Sequence, residues 1–150
     1  MWGCMTAQGI GYMAKIDNGM DAKLYVEILK GEMMQTIEYY GLKKDQIVFQ
    51  HDNDPKHTAN LTKKWLSRSK ISVLNWPPQS PDLNPIEHLW AELKKRLHKR
   101  ENLPGNLKAL WDAVQEEWES IPQNICLKLI DTMPSRVSDV LKAKGGHTTW

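Results

Sequence analysis

Cysteine is nearly absent from this chain: among 150 residues there are only Cys4 and Cys126, far apart and without a CxxC pair. That argues against a disulfide scaffold and a cysteine zinc site, and it fits a reducing intracellular compartment. No apolar run approaches the ~18 residues of a membrane span, so a soluble protein with no membrane partner is expected. The first twenty residues include Gln8, Lys15 and Asp17 and lack a basic segment followed by an apolar one, which argues against a secretory signal. Charge of one sign is scarce as well. Twenty basic and 18 acidic residues leave a net charge of +2, too mild to imply nucleic acid unless the charges cluster. Repeats and low-complexity tracts are missing. The length suits one domain with a real core, burying roughly two-thirds of its extended-chain surface.

What is present is an alternation of strand and helix signals. Trp2 to Ala7 and Ile10 to Ile16 read as a hairpin joined across Gln8-Gly9 and ending at Asp17-Asn18-Gly19. From Asp21 to Tyr40, Leu24, Tyr25, Ile28, Leu29, Met33, Ile37 and Tyr40 recur at helical spacing, with Gly41 as a stop. Gln46 to Gln50 holds the unbroken apolar trio Ile47-Val48-Phe49, the pattern of a strand covered on both faces. Thr58 is placed to cap a helix reaching about Arg68, with Leu61, Trp65 and Leu66 as its buried stripe. Ile71 to Leu74 follows as a strand, giving a parallel crossover.

Four prolines between Trp76 and Pro85 predict a stiff extended loop. Asn84 as N-cap and Pro85 at the first helical position then begin a helix to about Arg100, with Ile86, Leu89, Trp90, Leu93 and Leu97 on its apolar face. After Pro104-Gly105 a helix bearing Leu107, Leu110, Trp111, Val114 and Trp118 is expected, then a weaker one around Ile125 to Met133 and a third around Ser135 to Lys144. Residues 145 to 150 read as a loose tail.

Two acids stand out. Asp52 lies just past the carboxyl end of an apolar strand, where open α/β sheets place ligands. Asp-Asn-Asp-Pro is also strong turn chemistry, so a plain turn is the first reading of this segment taken alone. Glu87 falls at the third helical position after Asn84, the layout of a capping box. Both acids also suit a hard cation: without cysteine, oxygen ligands favour Mg²⁺ or Mn²⁺ over zinc. His51, His57, His88 and His98 offer a zinc alternative at spacings that match no tight pattern. An EF-hand fails, because His57 and Lys63 occupy the positions that need glycine and glutamate.

Basic residues gather in Lys94, Lys95, Arg96, His98, Lys99 and Arg100, with Lys63, Lys64, Arg68 and Lys70 on the preceding helix. A solvated helix face explains such a run, and so does phosphate binding. Trp65, Trp90, Trp111 and Trp118 fall at helical spacing and read as core, which leaves Trp76 as the tryptophan to watch.

The stretch His51-Asp52-Asn53-Asp54-Pro55-Lys56-His57, the stretch Trp76-Pro77-Pro78-Gln79-Ser80-Pro81-Asp82-Leu83-Asn84-Pro85-Ile86-Glu87 and Leu89-Trp90 together closely resemble the catalytic domain of Tc/mariner-superfamily DNA transposases. Met1-Trp2-Gly3-Cys4 and Lys142-Ala143-Lys144-Gly145-Gly146 also resemble the family's pattern, so the likeness extends over nearly the whole chain and implies a natural C-terminus. It implies an RNase H-like α/β fold, a mixed sheet with flanking helices. It further implies an Asp-Asp-Glu triad holding two divalent ions, Mg²⁺ or Mn²⁺. Asp52 resembles the second aspartate and Glu87 the glutamate, with 34 residues between them. Double-stranded DNA, as transposon ends and target, is the implied partner, and the nucleus the implied location.

In the family the first catalytic aspartate lies on a strand upstream of the segment resembling Met1-Trp2-Gly3-Cys4. The expectation is therefore a partial RNase H-like domain over residues 1–100 lacking its first, central strand, followed by a helical extension over 101–150. Its fragment of the transposase would be inactive alone in cut-and-paste cleavage and strand transfer. The alternative is a non-catalytic module that binds nucleic acid through Lys63, Lys64, Lys94, Lys95, Arg96, Lys99 and Arg100, or that oligomerises with itself or with full-length transposase and interferes with it.

Overall fold

The computed structural model describes residues 1–77, 80, 83–102, 104–144, 146 and 148. The chain forms two compact units: the first comprises residues 1–4 and 11–80, the second residues 5–10 and 81–150.

The chain begins with β1 (Trp2–Thr6) and β2 (Gly9–Ala14), which pair in a two-stranded sheet. A two-residue connection, Ala7-Gln8, forces them antiparallel. The Thr6 hydroxyl oxygen accepts the Gln8 N–H at 3.0 Å and fixes that turn.

Three helical segments then follow without a break, α1 (Ala22–Ile28), a π-helical segment (Leu29–Met33) and α2 (Met34–Tyr39). Asp21 caps α1 by accepting the Leu24 N–H at 2.8 Å. Tyr25, Leu29, Met33 and Ile37 form one buried stripe, packed with Leu66 and Ile71 into the core of the first unit. At roughly 1.5–3 kcal/mol for each large apolar side chain buried, this stripe holds the long helical run in place. The sequence pattern carries no sign of the π turn inside it.

β3 (Val48–Phe49) and β4 (Ser72–Val73) pair in parallel, Val48 opposite Ser72 and Phe49 opposite Val73, as a crossover requires. Among the described residues the strands therefore form two separate two-stranded sheets. The expectation of a β3 covered on both faces fails at Val48, whose surface is 63% exposed. An apolar trio signals burial only where something packs on both sides of it.

Between β3 and β4 lie α3 (Pro55–Thr58) and α4 (Asn60–Arg68). Thr58 does not cap a helix here: Asp54 does, accepting the Lys56 N–H at 3.0 Å ahead of Pro55. A carboxylate followed by a residue whose φ is already helical starts the helix earlier than a hydroxyl further on. The Thr58 hydroxyl instead donates to the Asp54 carbonyl. The stripe of α4 is also rotated from the expected one. Leu61 is exposed, while Thr62 is fully buried and donates to the Lys56 carbonyl at 2.7 Å.

The second unit is helical, with α5 (Pro85–His98), α6 (Leu107–Glu119), α7 (Gln123–Asp131) and α8 (Met133–Lys142). Asn84 and Pro85 begin α5 as expected, although the Asn84 side chain makes no capping bond to the first turn. Leu89 and Leu93 are buried, and Trp90 stacks on Trp118 with ring centroids 5.0 Å apart. Asn106 caps α6 through the Ala109 N–H. Leu107 and Leu110 are exposed, because the buried face of α6 is carried by Ala113, Val114 and Trp118. Periodicity gives the face of a helix, not how much of its length is covered. The centre of the proline loop, Pro78, Gln79, Pro81 and Asp82, and most of the tail expected from residue 145 lie outside the described residues. No helix among the described residues is long and apolar enough to cross a membrane.

Candidate active site

Asp52 stands three residues beyond β3 and is 54% exposed at its side chain. Its Oδ1 accepts two hydrogen bonds. One comes from the Asp54 backbone N–H at 3.1 Å, the Asx turn that the sequence suggested. The other comes from His57 Nδ1 at 2.5 Å. A carboxylate only accepts, so His57 carries its proton on Nδ1. Asp52 Oδ2 takes no hydrogen bond from any described residue. The turn is thus made on Oδ1, and Oδ2 is left to solvent.

Behind this carboxylate lies an aromatic cluster anchored in the core. The His57 ring lies 4.1 Å from the Tyr25 ring, centroid to centroid, and 5.3 Å from a nearly parallel His51 ring. His51 also packs on Phe49, and its Nδ1 is 2.9 Å from the Tyr25 hydroxyl. Burial, then the neighbouring His57, pushes His51 down to about 4, so it is neutral at pH 7. Burial, with the Asp52 and Asp54 charges nearby, pushes the Tyr25 phenol up. Asp54 is engaged elsewhere. Besides capping α3 it pairs with Lys56 Nζ at 2.5 Å, and that hydrogen bond holds its carboxyl below the usual range. Asn53 is engaged too, donating to the Trp76 carbonyl at 2.8 Å, and Trp76 itself is buried rather than open for base stacking.

Glu87 belongs to the second unit, in the first turn of α5, with an exposed side chain. Its backbone N–H donates to the Asn84 carbonyl at 3.2 Å. Asp52 belongs to the first unit. Among the described residues no three His, Cys, Asp or Glu side chains gather as a metal site. The four-histidine zinc alternative therefore finds no cluster there. His98 Nδ1 bonds the Lys94 carbonyl, and His88 is pushed down by burial and by Arg136.

The basic residues divide by what they touch. Lys63, Lys64, Lys94, Lys95 and Lys99 are exposed. Arg96 and Arg100 are half-buried and paired. Arg96 Nε meets Glu92 at 2.9 Å, while Arg100 meets Glu116 and Glu117 at 2.8 Å each. Arg100 clamps α5 to α6 through charge-assisted bonds, and the lysines face water. Sequence reasoning placed all seven in one group because the acids opposite Arg100 are 16 and 17 residues further on. It also passed over Tyr25 and weighed His57 and His51 only as zinc ligands. The one local signal was the position of His57, five residues after Asp52 and within the single turn of α3.

A family model described as "DDE superfamily endonuclease" matches residues 1–120. The Tc1 transposase of Caenorhabditis elegans is 39% identical over 151 residues, an alignment that takes in all of this chain and 54% of the relative. The Tcb2 transposase of Caenorhabditis briggsae is 37% identical over 150 residues, with the same shares. The chain thus spans about half the length of the curated relatives it matches. A solved structure of the Mos1 transposase catalytic domain with raltegravir and Mg superposes with a TM-score of 0.81 at 22% identity, covering 95% of this chain and 73% of that one. The fold is the RNase H-like one that the motifs implied. With four-fifths of its length matched by the family model, the chain belongs to the DDE superfamily endonucleases.

Proposed function

We propose that this chain carries part of the catalytic centre of a Tc/mariner-type DNA transposase, with Asp52 and Glu87 as carboxylate ligands of Mg²⁺ or Mn²⁺. The observation that carries the reading is the state of Asp52: one oxygen fixed by two donors and the other left open beside solvent. An exposed carboxylate oxygen with a fixed partner suits a hard cation that keeps several waters. When bound, such ions activate a water or a DNA 3′-hydroxyl for in-line attack on phosphate and stabilise the leaving oxygen. The solved relatives supply support of their own, since Mos1 has been crystallised with Mg, with Mn and as a paired-end complex with the left transposon end. Duplex DNA is accordingly the proposed partner, met by the exposed lysines of α4 and α5, with full-length transposase a second partner and the nucleus the place of action.

The test is Mn²⁺ titration of the 150-residue chain followed by paramagnetic broadening of backbone amide signals. Broadening centred on residues 52–54 and 87, abolished locally in Asp52→Asn and Glu87→Gln, is the expected result. No broadening at either acid sinks the metal reading. A second reading, a nucleic-acid-binding module without metal chemistry, is favoured by the exposed lysines. Its mark is duplex binding that survives Asp52→Asn without change while Mn²⁺ has no effect on the amide signals.

A further inference from the structure

The Asp52 carboxylate is held in a way that capping and turn chemistry do not require. The Asx turn needs only the Asp54 N–H on Oδ1. The second donor, His57 Nδ1, comes from a ring that is 13% exposed at its side chain and wedged against Tyr25 and His51. Tyr25 is completely buried in the core of the first unit. The rigidity of that core is therefore passed through two aromatic contacts to one carboxylate oxygen.

His57 Nε2 is buried with no hydrogen-bond partner among the described residues. In the neutral ring with its proton on Nδ1, Nε2 is a lone pair that needs no donor of its own. The other tautomer would bury an N–H without an acceptor and set two lone-pair atoms, Nδ1 and Oδ1, face to face. Both geometric facts select one tautomer and one orientation of the ring.

We propose that His57 is a positioning residue: its Nδ1–H and the Asp54 N–H together saturate Asp52 Oδ1 and present Oδ2 alone to a divalent ion. Asp52 would then offer a single oxygen, Oδ2, from a fixed rotamer. The proposal rests on the metal-binding reading of Asp52 given above. Outer partners that orient a ligating side chain typically change metal affinity by about 10–100-fold when removed. The ring's packing on Tyr25 supplies a clean substitution, because His57→Phe keeps an aromatic ring in place and removes only the donor. His57→Asn restores a donor near the position of Nδ1.

The experiment uses the whole chain and has two readouts. Long-range ¹H–¹⁵N correlation of the imidazole nitrogens is expected to show His57 protonated at Nδ1 and bare at Nε2, with the Nδ1 resonance moving in Asp52→Asn. Mn²⁺ titration, read by broadening at residues 52–54, is expected to show affinity about 10–100-fold weaker in His57→Phe and returned toward wild type in His57→Asn. Unchanged thermal melts of both variants would show that the fold survives. A His57 protonated at Nε2, or Mn²⁺ affinity in folded His57→Phe equal to wild type, overturns the proposal. If the wild-type chain shows the Nδ1–H tautomer but no Mn²⁺ broadening at 52–54, the metal reading is what fails and the positioning role falls with it.

Discussion

A Cβ on Gly11 would lie 2.5 Å from Cys4 Sγ and within 2.6 and 2.7 Å of two Thr36 side-chain atoms. No flexible chain end is available there to move aside. Thr36 is pinned by donating to the Glu32 carbonyl at 2.7 Å and accepting the Tyr12 N–H at 2.9 Å. Gly11→Ala is therefore expected to destabilise the chain by about 1–3 kcal/mol, as overpacking does, measured by urea denaturation. A change too small to measure would mean that the hairpin does not pack on the helix this closely. Cys4 shares the same contact. Burial pushes its thiol up to about 11 from 9.0, with the Thr36 hydrogen bond acting in the opposite direction. At pH 8 its thiolate is then about 100-fold scarcer than in an ordinary cysteine, and the thiolate is the reactive form. Because the higher-pKa thiolate that does form is also the better nucleophile, native chain is expected to react with a disulfide reagent at Cys4 about 10-fold more slowly than chain unfolded in guanidinium. Equal rates would contradict that burial.

At the scale of elements, two helices end in the same way with different residues. After α2, Gly41 takes φ +61, its N–H bonds the Glu38 carbonyl, and the Leu42 N–H bonds the Ile37 carbonyl, a complete Schellman motif. After α4, Lys70 takes φ +56, its N–H bonds the Ser67 carbonyl, and the Ile71 N–H bonds the Leu66 carbonyl. Lysine carries a left-handed penalty there that glycine does not. Substitution should thus act with opposite signs: Gly41→Ala costs about 1 kcal/mol and Lys70→Gly stabilises by about 0.5–1 kcal/mol. Equilibrium unfolding of the two variants checks this, and two changes of the same sign would refute it. Gly41 was legible in the sequence because glycine after an apolar stripe marks a stop; Lys70 was not, since nothing about lysine announces a left-handed residue. The same division runs through the candidate site. Asp52, Asn84-Pro85 and Glu87 could be placed from neighbours within a few residues, because turn and cap chemistry is local. The Tyr25, His51 and His57 cluster could not, because a residue 26 positions away from His51 closes it, and only the folded core sets that meeting.

For the whole molecule, a net charge of +2 understates how much positive surface is free. Glu92 is paired with Arg96, and Glu116 and Glu117 with Arg100, so these acids neutralise cations already engaged in ion pairs. The exposed lysines 63, 64, 94 and 99 make no ion pair among the described residues, and Lys95 has only a 3.9 Å approach to Glu92. If DNA is met by these lysines, binding must release counterions and weaken steeply with salt, by about 0.9 log units per log unit of salt for each phosphate neutralised. Charge reversal at Lys94 and Lys99 should then reduce the slope of log affinity against log salt by about 1 for each lysine that no longer meets a phosphate, while leaving the melting temperature near wild type. Arg100→Ala should do the reverse, lowering the melting temperature by removing both ion pairs to α6 and changing the salt slope little. Fluorescence anisotropy with a short duplex across a salt series, set beside thermal melts, distinguishes the two. A flattened slope in Arg100→Ala with none in the lysine variants would move the DNA-binding role from the exposed lysines to the α5–α6 clamp.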